Sequence, residues 1–406
     1  MSTVLPAPPH GDTAAIVAWV GAHLGDLASD AIAPSPRFRG GQRAADAALA
    51  AFDVSGYATR RSGIWPPSRR GASALSPYIR HGLLSLAHVW DAVEGGPARD
   101  VAKYRDELLW QEYSRHLYAR LGQGMARPLR ADPPARRTMP PGKEAWDPQM
   151  ACMAINVEEL ERDGYLVNQA RLWLASHWSV RAGADWREGE RRFFRHLLCG
   201  SRAANRAGWQ WAIGTGTGRP YGFSRAQVER QAPGLCEQCA LQHACPIARP
   251  PREGEPPTRE PGPRLRRDPD PERTGGPRRP TMQGRAEAVW LTAESLGDAD
   301  PALDAHPELP AIFVFDAPLL ARLRLSGKRL VFLAECLADL AARRPLTIYR
   351  GEPVAILGER SLATTFAPVP GWRDRAARLD LVEVHPWPWL RRPHGGSVQS
   401  FSAWSH

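Results

Sequence analysis

The 406-residue chain lacks any run of 18 consecutive apolar residues, so no membrane-spanning helix is expected. Residues 1–11 contain neither a basic stretch nor an apolar one, which argues against a secretory signal peptide and predicts a cytoplasmic protein. Cysteine is scarce, with six residues, and in a reducing compartment these thiols favour metal or redox roles over disulfides.

Acidic residues are also in deficit, 43 against 53 basic residues, which leaves a net charge of +10. A positive excess of this size fits a polyanionic partner such as DNA. The Arg-, Ala- and Pro-rich composition could produce the same excess as background, so charge alone does not identify the partner. With 43% apolar and 24% charged residues, the chain is expected to be globular.

The chain divides into four segments by composition and periodicity. Residues 1–34 predict a helical N-terminal extension, and residues 35–245 predict a mostly helical domain with long amphipathic patterns at 100–120 and 157–180. Eleven prolines fall within 246–280, so 246–285 is predicted to be a disordered linker.

The last segment, residues 286–406, changes to a strand–helix–strand pattern. Apolar runs at 311–316, 346–349 and 381–384 predict strands, while 326–344 and 353–362 predict helices. Such alternation is typical of a parallel α/β sheet.

The helical segment contains several motifs in which polar and aromatic residues recur at short spacing. Glu107 and Trp110 lie three positions apart on one helix face, where a carboxylate and an indole can meet a nucleobase. A surface acid beside a core tryptophan has the same spacing. Further motifs are Tyr57, S-x-L-S-P-Y at 73–78, N-x-x-R at 168–171, D-W-R-x-G-E-R at 185–191 and A-x-N-x-x-G-W-Q-W-x-x-G-T-G at 203–216.

In this order and spacing the motifs resemble the flavin domain of the photolyase/cryptochrome family. The resemblance implies an FAD cofactor, light-driven electron transfer from photoexcited reduced FAD to a flipped-out lesion, and UV-damaged DNA as the partner of a monomeric repair enzyme. The residues that it implies for FAD binding are Tyr57, Ser73, Leu75, Ser76, Arg171, Cys199, Ser201 and Asn205.

The same resemblance assigns two further groups of residues. Catalytic residues at the lesion and at the flavin would be Glu107, Trp110, Asn168 and Asn205. An electron-transfer chain would run through Trp209 and Trp186 to Trp146, which is expected to be exposed.

The sequence departs from the family pattern at five positions. Gln111 and Gln169 replace arginines, Leu172 replaces a methionine, and Cys199 replaces the aspartate that pairs with the Arg of N-x-x-R. Val167 stands where a histidine often lies in the family, which disfavours repair of (6-4) lesions and favours a cyclobutane pyrimidine dimer photolyase. The lost arginines favour the alternative, a cryptochrome-like blue-light photoreceptor without repair activity.

The C-terminal segment resembles the antenna-type Rossmann-like α/β domain of the same family, which normally comes first. The resembling stretches are 289–304, 313–316, 326–340 and 400–404. This order implies a circular permutation, with the flavin domain first and the antenna-type domain last. The family's basic residues after the first strand are missing at 292–295, so the antenna pigment stays unidentified.

Three cysteines follow the flavin motifs directly, as C-x2-C-x5-C-P at Cys236, Cys239 and Cys245. Thiolates at this spacing suit an iron–sulfur cluster or zinc. The set resembles the [4Fe–4S] site of some DNA-processing nucleases and of iron–sulfur photolyases, which implies a remote fourth ligand. Cys152 is the first candidate for that ligand and Cys199 the second; a zinc site that uses His243 is the alternative.

Overall fold

The structure is a computed structural model that describes residues 3–133, 144–250 and 260–405. Helices between residues 42 and 231 form one half of the molecule, here called the helical half. A sheet with its own helices forms the other, here called the sheet half. The helices up to residue 231 are α1 (Thr13–Leu24), α2 (Gln42–Ala50), α3 (Tyr57–Arg60), α4 (Ser76–Arg80), α5 (Leu86–Ala92), α6 (Ala98–Leu121), α7 (Ala151–Asp163), α8 (Asn168–Ser176), α9 (Trp186–His196), α10 (Arg202–Ala212) and α11 (Arg225–Gln231).

The predicted helix at 100–120 is confirmed as α6, but the amphipathic pattern at 157–180 is divided between two helices. Gly164 ends α7 in the left-handed conformation at φ +70°, which glycine adopts without a Cβ penalty. The second helix, α8, begins at Asn168 and passes into a π-helical turn at His177–Arg181. The break places Asn168 and Arg171 on the first turn of α8.

The sheet half contains seven strands in the order β1-β5-β4-β3-β6-β7-β2. The five central strands are parallel, and both edge strands are antiparallel to their neighbours. The strands are β1 (Thr3–Leu5), β2 (Thr281–Met282), β3 (Ala288–Leu291), β4 (Ala311–Asp316), β5 (Leu346–Gly351), β6 (Leu362–Thr365) and β7 (Leu381–His385). The three predicted strands are therefore confirmed, as β4, β5 and β7.

Helices connect and flank these strands, and all but α16 are short. They are α12 (Pro263–Arg266), α13 (Pro271–Gly275), α14 (Pro301–Ala305), α15 (Ala317–Leu323), α16 (Gly327–Ala341), α17 (Pro353–Leu357), α18 (Trp372–Ala376) and α19 (Phe401–Ser405). The predicted helix at 353–362 ends early, at Leu357, because β6 begins at Leu362 and continues the sheet.

The N-terminal segment belongs to the sheet half, although the sequence predicted only a helical extension. Thr3 pairs with Arg350 and Leu5 with Ile348, so β1 covers the free edge of β5. Helix α1 then packs against α16, and the ring of Trp19 lies 6.2 Å from that of Phe315. Covering a sheet edge satisfies backbone groups that would otherwise be open to another chain.

The prediction of a disordered linker is wrong for residues 260–285. Pro263 and Pro271 lie in the first turns of α12 and α13, where proline removes no helical hydrogen bond. Asp268 lies 3.3 Å from Arg120 of α6, and both side chains are buried. Losing this contact would leave a buried charge unpaired, which explains why a proline-rich segment is ordered here. Residues 251–259, which the same prediction covers, lie outside the described residues.

The two halves meet closely between α4 and the loop that follows β3. A Cβ on Gly297 would stand 2.1 Å from the carbonyl oxygen of Gly82, so only glycine permits this approach. The Leu296 N–H donates to the His81 carbonyl across the same contact at 3.1 Å. In the described part of the chain, no helix combines the length and apolar character needed to cross a bilayer.

Candidate flavin and lesion site

A cavity of about 1230 Å³ lies between the helical half and the sheet half. This volume exceeds the range of about 300–1,000 Å³ that is usual for small-molecule sites, so a dinucleotide has room. Twelve of the residues predicted for the site line it together, although they are distant in sequence: Tyr57, Ser73, Leu75, Ser76, Glu107, Trp110, Asn168, Arg171, Cys199, Ser201, Asn205 and Trp209.

The loop before α4 forms one wall of the cavity. Ala74, between Ser73 and Leu75, has φ +56°, a left-handed conformation that costs a non-glycine residue about 1–3 kcal/mol. The side chain of Tyr57 is buried behind this loop, and burial together with nearby Glu107 raises its pKa above the ordinary range. The tyrosine hydroxyl therefore stays protonated and can donate a hydrogen bond.

The side-chain amide of Asn205 has a defined orientation. Its Nδ2 donates to the carbonyl oxygen and to Oε1 of Glu190, both at 3.0 Å. Glu190 also forms an ion pair with Arg202 at the start of α10 and is almost fully buried. Because both amide hydrogens are used, the Asn205 carbonyl oxygen is the group left to accept a hydrogen bond from a ligand.

Arg171 and Cys199 form a close pair in the cavity wall. The guanidinium Nη2 lies 3.1 Å from Sγ of Cys199, and Nε donates to the Leu166 carbonyl at 3.0 Å. Burial opposes ionisation of the Cys199 thiol, but Arg171 and a hydrogen bond from Ser76 outweigh burial and lower its pKa. Cys199 therefore ionises more readily than an ordinary thiol, and as a thiolate it would pair with Arg171.

The tryptophans of the predicted electron-transfer chain are all buried. The ring of Trp209 lies so close to α9 that a Cβ on Gly189 would stand 2.1 Å from it. Among the described residues, no hydrogen-bond acceptor reaches Nε1 of Trp209 or of Trp186.

Trp146, predicted to be the exposed end of this chain, is 1% exposed, so the expectation of exposure is wrong. Its Nε1 donates to the Leu174 carbonyl at 2.8 Å, and its ring lies 4.9 Å from that of Trp178. Ring contacts connect it inward through Phe193, 5.9 Å away, to Trp209, which is 5.1 Å from Phe193. The packing of helices around α9 therefore buries Trp146, and this burial could not be predicted from the sequence.

Trp110 and Glu107 face the cavity from α6. Glu107 forms ion pairs of 3.1 Å with both Arg61 and Lys103, and Trp110 is 38% exposed. The C-terminal helix α19 places Phe401 flat against Trp110, with ring centres 4.0 Å apart and planes 9° apart. One face of the indole is therefore covered by the chain itself, which the sequence did not predict.

The four predicted cysteine ligands line a second, much smaller cavity. Cys152 on α7 meets Cys236, Cys239 and Cys245 there, whereas Cys199 lies in the large cavity. Burial and then the three neighbouring thiols raise the pKa of Cys152 to about 12. The Ala151 N–H points at Sγ of Cys239 from 3.5 Å. Crowded thiols of this kind become thiolates when a metal binds, so the donor set fits a metal.

Two residues that border the site were not assigned from sequence. Glu190 lies inside the D-W-R-x-G-E-R motif, so the signal was present, but its partner Asn205 is on another helix. Arg329 enters the cavity from α16 of the sheet half and donates to the Gly200 carbonyl. The local sequence of α16 does not predict this contact, because the contact depends on how the helical half packs against the sheet half.

Comparison with known proteins finds its similarity in the helical half. Residues 104–232 match the family model described as the FAD binding domain of DNA photolyase. A deoxyribodipyrimidine photo-lyase of Vibrio cholerae is 32% identical over 171 residues, which is 38% of this chain and 36% of the relative. An enzyme of the same name from Thermus thermophilus is 35% identical over 190 residues, 43% of each chain. The chain thus spans well under half the length of these relatives, and its similarity to the photolyase/cryptochrome family rests on the flavin-binding segment.

Solved structures show weaker overall likeness. A class III photolyase of Agrobacterium tumefaciens has 26% identity and a TM-score of 0.40, over 47% of this chain and 42% of the other. A cryptochrome of Synechocystis sp. has 22% identity and a TM-score of 0.44, over 49% of this chain and 44% of the other.

Proposed function

We propose that this protein is a light-driven DNA repair flavoprotein, a cyclobutane pyrimidine dimer photolyase that holds FAD in the large cavity. The observation that carries the proposal is the convergence of residues from Tyr57 to Trp209 on one cavity, within and beside the segment that matches a photolyase FAD binding domain. When bound, reduced FAD supplies the excited-state electron that opens the cyclobutane ring.

The chain's own contribution is binding, orientation and exclusion of water. Asn205 offers its carbonyl oxygen to the protonated N5 of the reduced ring, because Glu190 retains the amide hydrogens. Arg171 supplies a cation whose charge is balanced by Cys199, and Tyr57, Ser73 and Ser76 offer hydroxyl donors to the phosphates. Trp209, Trp186 and Trp146 are proposed to relay electrons to the cofactor, although all three are buried.

The direct test is illumination of a thymine-dimer oligonucleotide with the reduced, flavin-loaded protein. The expected result is a light-dependent loss of the dimer, which is measured by chromatography of the digested DNA. Protein that binds flavin and photoreduces it, but leaves the dimer intact under the same light, would contradict the repair function. A dark sample and an undamaged oligonucleotide are the controls.

Trp110→Ala is expected to weaken binding of dimer-containing DNA about 10-fold. Stacking of one base on an aromatic ring contributes about 1–3 kcal/mol, and each 1.4 kcal/mol is tenfold in affinity. Fluorescence anisotropy with damaged and undamaged oligonucleotides measures the effect. Trp90→Ala on α5, outside the cavity, is the matched control and should bind as the unaltered chain does. An equal loss for both oligonucleotides would show that Trp110 does not contact the lesion.

The alternative function is a cryptochrome-like photoreceptor without repair activity. Gln169 favours it, since its amide donates to the Tyr221 hydroxyl at 2.7 Å instead of offering a cation to DNA. Flavin photoreduction with an unchanged dimer in the illumination test is the result that selects this function.

We also propose that the small cavity holds a [4Fe–4S] cluster, with Cys152 as the fourth ligand. In the described part of the chain, no three of these sulfurs lie within 4.8 Å of one another. Four thiolates at about 2.3 Å from one zinc ion would be only ~3.8 Å apart. The exposed His243 is absent from the described residues that line the cavity. Both observations favour the larger cluster over the zinc alternative.

Cys152→Ser is expected to lose most of the iron and the broad visible absorbance of anaerobically purified protein, because one of four thiolates is missing. Iron and acid-labile sulfide analysis measures the loss. Cys199→Ser is the matched control, since Cys199 lies in the other cavity and should leave the iron content unchanged. The opposite pattern would make Cys199 the ligand.

We propose further that the sheet half is a Rossmann-like domain and that the chain is circularly permuted relative to the family. The parallel strands, counted from β3, run in the order third, second, first, fourth and fifth, which is the order of doubly wound nucleotide-binding sheets. The carboxyl ends of β3 and β4 line the large cavity, where such sheets bind ligands. An antenna pigment, if one is used, would bind at this edge.

A further inference from the structure

The sheet half contains a cluster of metal-binding side chains away from both cavities. Glu383 and His385 lie two positions apart on β7, so their side chains emerge on the same face of the strand. His306 follows the last residue of α14, a helix that packs on β6 and β7. The fold thus brings residues about 80 positions apart in sequence to one place.

The donor atoms are close enough to share an ion. Nε2 of His306 lies 2.6 Å from Oε2 of Glu383, and Nε2 of His385 lies 3.5 Å from the same oxygen. All three donors lie within 4.8 Å of one another. Ligands at about 2.0–2.1 Å from a tetrahedral zinc ion would be ~3.3 Å apart. The two separations from Glu383, 2.6 and 3.5 Å, therefore differ from this geometry by less than 1 Å.

Burial supplies an independent indication of a ligand. His385 and Glu383 are each 4% exposed. The 3.5 Å contact with Glu383 does not have the geometry of a hydrogen bond, so Nε2 of His385 has no hydrogen-bond partner among the described residues. A buried polar atom without a partner is destabilising, and a bound cation would supply that partner.

The surroundings fix the helix that carries His306. Asp300 caps α14 through the N–H groups of Ala302 and Leu303 and accepts a hydrogen bond from the Thr365 hydroxyl at 2.8 Å. Arg344 donates to the His306 carbonyl at 2.6 Å. These contacts hold the backbone and leave the imidazole of His306 to face Glu383. The His306 side chain is 21% exposed, so solvent can reach the cluster from that side.

We propose that His306, Glu383 and His385 bind a divalent transition-metal ion of the zinc class, with water in the fourth position. Two imidazoles and one carboxylate are a common ligand set for such ions. The ion would fasten the end of α14 to β7 and stabilise the sheet half. It is separate from the cysteine site in both position and ligand chemistry.

The experiment compares Zn²⁺ binding by the full chain and by His385→Gln, with the cysteine cluster intact in both. After gel filtration, the unaltered protein is expected to hold one more zinc ion per chain than His385→Gln does. The Tm of the unaltered protein should also rise on addition of Zn²⁺. His385→Gln should show neither effect. His88→Gln, an exposed histidine on α5, is the matched control and should behave as the unaltered chain. Equal zinc content and equal Tm response in all three proteins would overturn the proposal.

A second measurement does not depend on how the variant folds. X-ray absorption at the zinc edge of the Zn²⁺-loaded, unaltered protein should show nitrogen and oxygen ligands with imidazole scattering. A shell made of sulfur alone would place the bound zinc at the cysteines and overturn the proposal.

Discussion

Replacing Cys199 with alanine is expected to lower the free energy of unfolding by about 3 kcal/mol, because Arg171 would lose its anionic partner. Breaking a buried ion pair by removing one member costs about 3–5 kcal/mol. The lower end applies here, since Arg171 keeps its hydrogen bond to the Leu166 carbonyl and borders the open cavity. Urea denaturation of the two proteins, followed by circular dichroism, measures the difference. Cys199→Asp is the matched control, since it restores an anion and should recover most of the loss.

The stability difference between the unaltered chain and Cys199→Ser should depend on pH. The thiol pKa is lowered in the folded state from its usual value of 9.0, despite burial, by Arg171 and Ser76. A lowered folded pKa gives stability that is fully present above the unfolded pKa and is lost as the pH falls through the folded pKa. The difference should therefore grow as the pH rises towards the ordinary thiol pKa of 9.0. A difference that stays constant as the pH rises would mean that Cys199 is not ionised.

The motif residues of the helical half could be predicted because each motif combines a chemical type with a fixed spacing on one helix or turn. Asn168 and Arg171 are three positions apart on α8, and both line the cavity as expected. The position of Trp146 could not be predicted, since its burial depends on the way α8 and α9 pack around it. Local patterns identify which residues a site uses, but long-range packing decides which of them reach the surface.

The segments at the ends of the proposed domains also depend on long-range contacts that local sequence patterns do not predict. The proline- and arginine-rich composition of residues 260–285 is typical of a flexible linker. In the structure, however, Asp268 of this segment pairs with the buried Arg120. Strand β1 has only three residues, too few to give a periodic signal, and it forms because the edge of β5 is free. Phe401 likewise reaches Trp110 only because α19 packs on α6. In each case the partner lies more than 100 positions away in the sequence.

Asn205→Ala is expected to make the reduced cofactor reoxidise in air about 10-fold faster than in the unaltered chain. The substitution removes the carbonyl oxygen that Glu190 orients toward the proposed flavin N5. A hydrogen bond of this kind is worth about 0.5–1.5 kcal/mol net, and the upper value corresponds to about tenfold. The measurement is recovery of flavin absorbance after illumination under anaerobic conditions and admission of air, together with the yield of repaired dimer.

The variant Glu190→Gln tests the orientation of the Asn205 amide separately from the contact between Asn205 and the flavin. Glutamine retains an oxygen that accepts from the Asn205 amide but loses the charge that pairs with Arg202, so reoxidation should be accelerated only about 2–3-fold. Flavin content after gel filtration shows that both variants still bind the cofactor. If Asn205→Ala reoxidises at the unaltered rate with full flavin content, Asn205 does not contact the reacting ring. If Glu190→Gln reoxidises as fast as Asn205→Ala, the hydrogen bonds that remain do not fix the orientation of the Asn205 amide. The ion pair between Glu190 and Arg202 would then be the contact that holds it.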